Sequence, residues 1–170
     1  MLFNFDLIDN SNDPVDIYVD GGSLSSPYYN FFLDSEGTNP LQNLELDISK
    51  SYKFQRLDNA TSHPFYISNN GYQSESSDNL IFTGDGDYVN GITGVQSFTI
   101  EFNGNLEDIG TLNYYSTNQS SMLFNFDLID NSNDPVNIYV DGGNFSSPYF
   151  NFFLDSEGTN PLQDLELDIS

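Results

Sequence analysis

The sequence predicts an all-β protein, a Greek-key β-sandwich in tandem repeat with a period of 121 residues. Three observations lead there. Met1–Ser49 returns as Met122–Ser170 with five differences: Asp16/Asn137, Ser23/Asn144, Leu24/Phe145, Tyr29/Phe150 and Asn43/Asp164. Fifteen Phe and 11 Tyr dominate the apolar residues, against a single alanine, Ala60. Strands, not helices, favour such aromatic side chains. Short alternating runs are also separated by Asn, Asp, Ser and Gly, which supply turns.

The elements follow in order. Leu2–Asp9 alternates with Phe3, Phe5 and Leu7 on one face, and Asn10–Pro14 reads as a turn or linker. Val15–Val19 is a strand with Val15, Ile17 and Val19 inward. Gly21-Gly22 and Ser25-Ser26-Pro27 break the chain before a strand at Tyr28–Leu33 and a loop at Asp34–Pro40. Leu44, Leu46 and Ile48 alternate with acids as a half-buried strand. Tyr52, Phe54 and Arg56 then share one face, with Lys53 and Gln55 between them. Phe65–Ile67, Leu80–Phe82, Phe98–Phe102 and Leu112–Tyr115 complete eight or nine strands per unit, a number that suits a sandwich. Ser68–Asn79 reads as an irregular excursion, and no segment sustains a helical period.

Self-similarity at a fixed period marks an array. Met1 aligns with the internal Met122, so the chain is expected to be about 1.4 units of a longer array. The other reading is a complete protein with a duplicated end. It leaves Leu123–Ser170 without the partner strands that residues 50–121 supply to the first copy.

The formal charge is −23, from 26 acids against three bases. Phosphate binding needs Lys and Arg, so nucleic acid is excluded as a partner, and anionic membrane surfaces are disfavoured. Uncompensated acid repels itself. High salt, divalent cations or a well-hydrated carboxylate surface relieve that repulsion. At sea-water salt the Debye length falls to about 4 Å, and an extracellular or cell-surface setting fits best. Lys50, Lys53 and Arg56 lie close together, either as a locally neutralised strand or as a docking spot for an acidic neighbour. With no cysteine, disulfides and thiolate metal sites are out of reach.

Two motifs carry a family resemblance, Tyr52–Ile67 and Leu112–Met122. Together they resemble the cupredoxin-type sandwich, and most of all the divergent cupredoxin-like repeats of large marine bacterial and phage structural proteins. The likeness covers residues from about 50 to 122 well and the first 49 weakly. It implies that His63 stands at the first copper-ligand position and that Ser116-Thr-Asn-Gln119-Ser-Ser-Met122 stands where the family has Cys-x-x-His-x-x-Met. Ser116 then replaces the cysteine and Gln119 the second histidine, leaving only His63 and Met122. Blue copper needs a thiolate and two imidazoles, so this set implies a degenerate site without electron transfer. Ser116 and Gln119 are expected to satisfy each other or His63, with His63 structural and Met122 filling core.

The resemblance also implies where modules join. Residues 1–9 would close a preceding module, 10–130 would form a complete one, and 131–170 would begin the next. Leu2–Asp9 as the first strand of its own module is the alternative.

Other chemistry is sparse. Asp9, Ser11 and Asp13, and in the second copy Asp130 with Asp134, place oxygens at alternate positions, a candidate junction calcium site. An Asx-rich turn needs no metal and explains the same spacing. Asp85 with Asp87, and Asp34-Ser-Glu36, are weaker candidates. The expected cofactor is none, with calcium at the junction as the alternative. No enzyme activity is expected: His63 is the only histidine, its neighbour Ser62 is expected to point the other way, and Lys50 and Lys53 are the only candidates for an isopeptide crosslink. The aromatic run Pro27–Phe32 either lines a sugar-binding surface or divides between core and contact. Phe3, Phe5, Tyr28, Tyr29, Phe124 and Phe126 are the candidate inter-module contacts.

The resulting expectation is a structural protein whose modules pack end to end into a filament, fibre or stalk. Its partners would be other copies of itself or neighbouring repeats, through equal head-to-tail junctions. A calcium-dependent adhesin binding carbohydrate and a phage or virion fibre are the alternatives.

Overall fold

The computed structural model describes residues 13–132, 139–140 and 152–153. The chain divides into two units, Asp13–Ser132 and a second made of Met1–Asn12 with Asn133–Ser170. In the second unit the described residues form one antiparallel pair, Tyr139–Val140 with Phe152–Phe153.

Asp13–Ser132 is all-β, two sheets packed face to face. The strands are β1 (Val15–Val19), β2 (Phe31–Phe32), β3 (Glu45–Asp47), β4 (Tyr52–Arg56), β5 (Phe65–Ser68), β6 (Leu80–Gly84), β7 (Ser97–Phe102), β8 (Leu112–Ser116) and β9 (Gln119–Ile129). One sheet runs β2-β1-β4-β7-β6 and the other β3-β9-β8-β5. Two pairings are parallel, β1 with β4 and β3 with β9; the rest are antiparallel.

Alternation sets which face is buried. In β4 Tyr52, Phe54 and Arg56 are buried while Lys53 and Gln55 are half-buried, as a two-residue period demands. The two sheets meet through aromatic rings. Phe54 of β4 lies 5.7 Å from Phe65 of β5 and 5.9 Å from Phe126 of β9, and Phe31 of β2 lies 4.9 Å from Phe126. Most of these pairs are tilted or edge-on, the arrangement that ring quadrupoles favour. Tyr114 and Tyr115 lie wholly inside. Their hydroxyls still find acceptors, the Pro27 carbonyl at 2.9 Å and the Tyr88 carbonyl at 3.0 Å.

Three expectations are corrected. Tyr28–Leu33 is a strand only over Phe31–Phe32, because Tyr28 has φ +74° and turns the chain before it can extend. The segment expected as a ligand loop, Ser116–Met122, is a tight hairpin with Thr117 and Asn118 at its tip. Its second strand begins at Gln119, not at Leu123. A short helix, α1 (Leu106–Ile109), was not expected. Asn105 caps it, its side chain accepting the N–H groups of Glu107 and Asp108. Ser68–Asn79 is irregular, apart from the first residue that β5 takes.

Truncating Phe54 to Ala should lower unfolding free energy by about 3–5 kcal/mol. Val95, 86% exposed, should tolerate Ser within about 0.5 kcal/mol. Urea unfolding followed by tyrosine fluorescence, clean in a chain without tryptophan, measures both.

Candidate functional site

Four of the residues that the sequence singles out, Tyr29, Arg56, His63 and Met122, meet at one end of the 13–132 sandwich. The central group there is Arg56, the last residue of β4 and only 4% exposed. Its guanidinium donates to five backbone carbonyls: Val19 (3.4 Å), Asp20 (2.7 Å), Ser62 (3.0 Å), His63 (3.1 Å) and Ile92 (3.0 Å). Those acceptors come from the end of β1, the loop before β5 and the loop before β7. Arg56 is therefore neither part of a neutralised surface strand nor a docking spot. It is a buried clamp, and of the three bases Lys50 is exposed and Lys53 half-buried. Burial pulls its pKa below the ordinary arginine value, with Tyr29 and Asp20 acting the other way.

Tyr29 sits beside the clamp, with the Arg56 carbon Cζ 5.9 Å from its ring centre. Its hydroxyl donates to the His63 carbonyl at 2.8 Å. Burial pushes the hydroxyl up to about 12, against the opposing pull of Ser116 and Arg56, so it stays a donor at neutral pH. Met122 is fully buried nearby. A Cβ on Gly22 would meet Tyr29 Cε1 at 2.8 Å and Met122 Cε at 3.1 Å, and Gly22 has φ +75°, so glycine is required there twice over.

The expected mutual hydrogen bonds among Ser116, Gln119 and His63 do not form. The Ser116 hydroxyl donates to Asn118 Oδ1 at 2.8 Å, and Gln119 Nε2 donates outward to Ser121 at 2.8 Å. Gln119 stands opposite Ser116 across the hairpin, but each side chain is taken by a residue two positions on along its own strand or turn, Asn118 for Ser116 and Ser121 for Gln119. His63 has φ +45°, its carbonyl serves Tyr29 and Arg56, and its Nδ1 is buried without a partner among the described residues. One imidazole, one committed hydroxyl, one outward carboxamide and one thioether do not fit blue copper, which needs a thiolate and a second imidazole. The backbone of His63 does the observable work.

The hairpin tip is held from three sides. Thr117 donates through its N–H to the Pro64 carbonyl (2.9 Å) and through its hydroxyl to Asn90 (3.0 Å). The Thr117 carbonyl accepts from Tyr72 (3.0 Å) and Gln73 (2.9 Å). These ties were not legible in the sequence, which gives no register for loop-to-loop contact.

The acidic candidates are turns. Asp34 accepts from the Thr38 N–H and hydroxyl, and Asp87 accepts from Val89, Asn90 and the Asn90 amide. Asp85 takes the Ser97 N–H, and Asp130 takes the Ser132 N–H. These backbone and side-chain donors hold Asp34, Asp87 and Asp130 below the ordinary aspartate value. Of the junction residues, Asp13 and Asp130 are exposed, while Asp9, Ser11 and Asp134 lie outside the described residues. Among the described residues no three His, Cys, Asp or Glu are grouped to hold a metal ion.

Of the expected inter-module contacts, Tyr29 and Phe126 are core residues instead, 1% and 2% exposed, with ring partners inside Asp13–Ser132. Tyr28 is half-buried against the core, and Phe124 is 39% exposed. Phe3 and Phe5 lie outside the described residues.

Comparison with family models, curated proteins and solved structures finds no match to this chain.

Arg56→Met should cost about 3–5 kcal/mol, because it strands several buried carbonyls at once. Arg56→Lys should recover less than half of that, since a point ammonium cannot reproduce the planar fork. Tyr29→Phe should cost only about 0.5–1.5 kcal/mol, because Arg56 still serves His63. Urea unfolding of the three variants tests the ranking.

Asp47 generates a pH prediction. Burial opposes its charge, but the Ser49 N–H and hydroxyl, the Asn131 N–H and Lys50 outweigh that and hold its carboxyl below the ordinary value. A depressed carboxyl stabilises the fold above its unfolded pKa of about 3.9, and that stability is lost as pH falls through the folded value. Asp47→Asn should therefore be less stable than the parent at pH 7 and equal to it near pH 2. Parallel urea curves at the two values decide.

Proposed function

We propose that this chain is a length of an extracellular structural array. Acidic β-sandwich modules pack end to end into a filament, fibre or stalk, and the modules carry no redox centre. The observation that carries the reading is the near-identical return of Met1–Ser49 as Met122–Ser170. Near-identical modules present equal junctions, and equal head-to-tail junctions propagate instead of closing. The compact unit Asp13–Ser132 is close to one period long, which supports a module running from about residue 10 to about 130.

The finer description belongs to the same proposal: a Greek-key sandwich of cupredoxin type whose metal site has decayed. The chain passes repeatedly between the sheets, from β2 to β3, β3 to β4, β4 to β5, β5 to β6 and β7 to β8, which supports it. So does the conversion of the ligand-position loop into a plain hairpin.

Concatemers of one, two and four repeats test the reading. Electron microscopy and small-angle scattering in saline buffer should show length growing by a constant increment per repeat, with end-to-end association. Particles that stay solitary and shorten into globules, or copper retained at His63 through dialysis, would overturn it.

A further inference from the structure

Three Asn-Gly steps lie in the Asp13–Ser132 unit: Asn70-Gly71, Asn90-Gly91 and Asn103-Gly104. Such a step carries latent chemistry. The glycine nitrogen stands close enough to the preceding carboxamide to attack its Cγ and close a five-membered imide, and glycine has no Cβ to obstruct the approach. The reaction makes two demands on the fold. The glycine N–H must be able to give up its proton, and the carboxamide must be able to swing over the backbone. The three steps are the same dipeptide, but the fold holds them differently.

Asn90-Gly91 is locked. Asp87 accepts the Asn90 carboxamide on Oδ2 at 2.7 Å and the Asn90 N–H on Oδ1 at 2.8 Å. The Gly91 N–H donates to the Asp87 carbonyl at 2.8 Å, and the Asn90 carbonyl accepts the Thr117 hydroxyl at 3.0 Å. One aspartate thus restrains both the atom that would attack and the group that would be attacked, partly through charge-assisted bonds. Packing adds to the restraint, since a Cβ on Gly91 would meet the Phe65 carbonyl oxygen at 2.9 Å.

Asn70-Gly71 is restrained on one side. The Asn70 carboxamide donates to the Glu75 carbonyl at 2.8 Å, while the Gly71 N–H has no partner among the described residues.

Asn103-Gly104 is held on neither. It follows β7 and precedes Asn105, the cap of α1, and both of its residues are exposed. The Asn103 N–H donates to the Asn79 carbonyl at 2.9 Å, which anchors the backbone on the strand side. Among the described residues, the Asn103 carboxamide and the Gly104 N–H have no hydrogen-bond partner. The nearest atom to a Cβ on Gly104 would be Asp108 Cβ at 3.4 Å, so the surroundings leave room to move.

We propose that Asn103 is a site of spontaneous modification, deamidating through an imide with Gly104 while Asp87 shields Asn90 from the same reaction. The Gly104 nitrogen bonds to Asn103 Cγ, the Cγ–Nδ2 bond breaks, and ammonia leaves with the proton that the Gly104 nitrogen gives up. Water then opens the imide at either carbonyl, giving aspartate or isoaspartate. One water enters and one ammonia leaves, with no oxidant or cofactor. Both products add a carboxylate to a chain of 26 acids and three bases. Isoaspartate also lengthens the backbone by one carbon just ahead of the α1 cap. The inference does not depend on the filament reading.

Peptide mapping by mass spectrometry, on the full chain held in mildly alkaline buffer, tests it. Asn103 should convert at least about tenfold faster than Asn90, because several hydrogen bonds must break before Asn90 can react. Asn70 should fall between them. In guanidinium chloride the three rates should converge. Asp87→Ala should speed conversion at Asn90 by about tenfold and leave Asn103 unchanged. Asn90 reacting as fast as Asn103 in the folded chain, a ranking that survives unfolding, or no acceleration at Asn90 in folded Asp87→Ala would overturn the proposal. The comparison of folded with unfolded parent chain decides even where the variant does not fold.

Discussion

Arg56 ties the end of β1 to two loops that meet each other at that end of the sandwich only through the short bridge between Phe65 and Ile92. Its five carbonyl partners lie on residues 19, 20, 62, 63 and 92, so one guanidinium fixes three crossings of the chain. Only a planar fork with five donors can serve so many acceptors from one point. A buried cation is costly in isolation, and here the compensation comes from carbonyl dipoles, with the Tyr29 ring alongside. Tyr29, Met122 and Gly22 then take positions that the clamp leaves them, and the required glycine is a direct consequence.

Using the one buried base in this way leaves the acids to organise themselves. With 26 acids and three bases, ion pairing cannot be a general source of order. Carboxylates instead accept local donors. Asp20 takes the N–H groups of Gly22 and Asn30, Asp34 and Asp87 close their own loops, and Asp47 takes Ser49 together with Asn131. Such bonds favour the charged form and tighten turns at the same time. A highly acidic surface is thereby compatible with long ordered loops. Among the acids that could have signalled calcium, Asp34, Asp87 and Asp130 accept donors from their own turns.

What the sequence made legible follows from which forces are local. The Tyr52-Phe54-Arg56 face could be read because strand alternation is a two-residue rule, but the charge of Arg56 led to a surface reading, and its burial is set by non-local carbonyls that alternation does not reveal. The hairpin at Thr117–Asn118 could not be read, because Ser116–Met122 was matched to a loop pattern while its pairing with β8 is a non-local fact. Tyr28 looked like a strand residue by composition, yet its backbone is turned to φ +74° by the loop that precedes it. The α1 helix had a signal, Asn105 ahead of Glu107 and Asp108, but one turn of helix is too short for periodicity to reveal. His63 was singled out for its imidazole, whereas its carbonyl carries the contacts with Tyr29 and Arg56, and nothing in a sequence distinguishes the two.

The five differences between the copies take their meaning from the described unit. Asp16, Ser23, Leu24 and Asn43 are exposed, and Asn43 sits at φ +56°, a conformation that the aspartate of the second copy also accepts readily. Asp16 to Asn137 and Asn43 to Asp164 exchange an acid for an amide in opposite directions, so the charge of the repeat is unchanged. The only buried difference is Tyr29 to Phe150. At Tyr29 itself the ring fills space beside Arg56, and the hydroxyl that a phenylalanine lacks donates to the His63 carbonyl, which already has the guanidinium as a second donor. Met1–Val15 returns as Met122–Val136 without a single difference, and the later of these stretches contains Met122–Ile129 of β9.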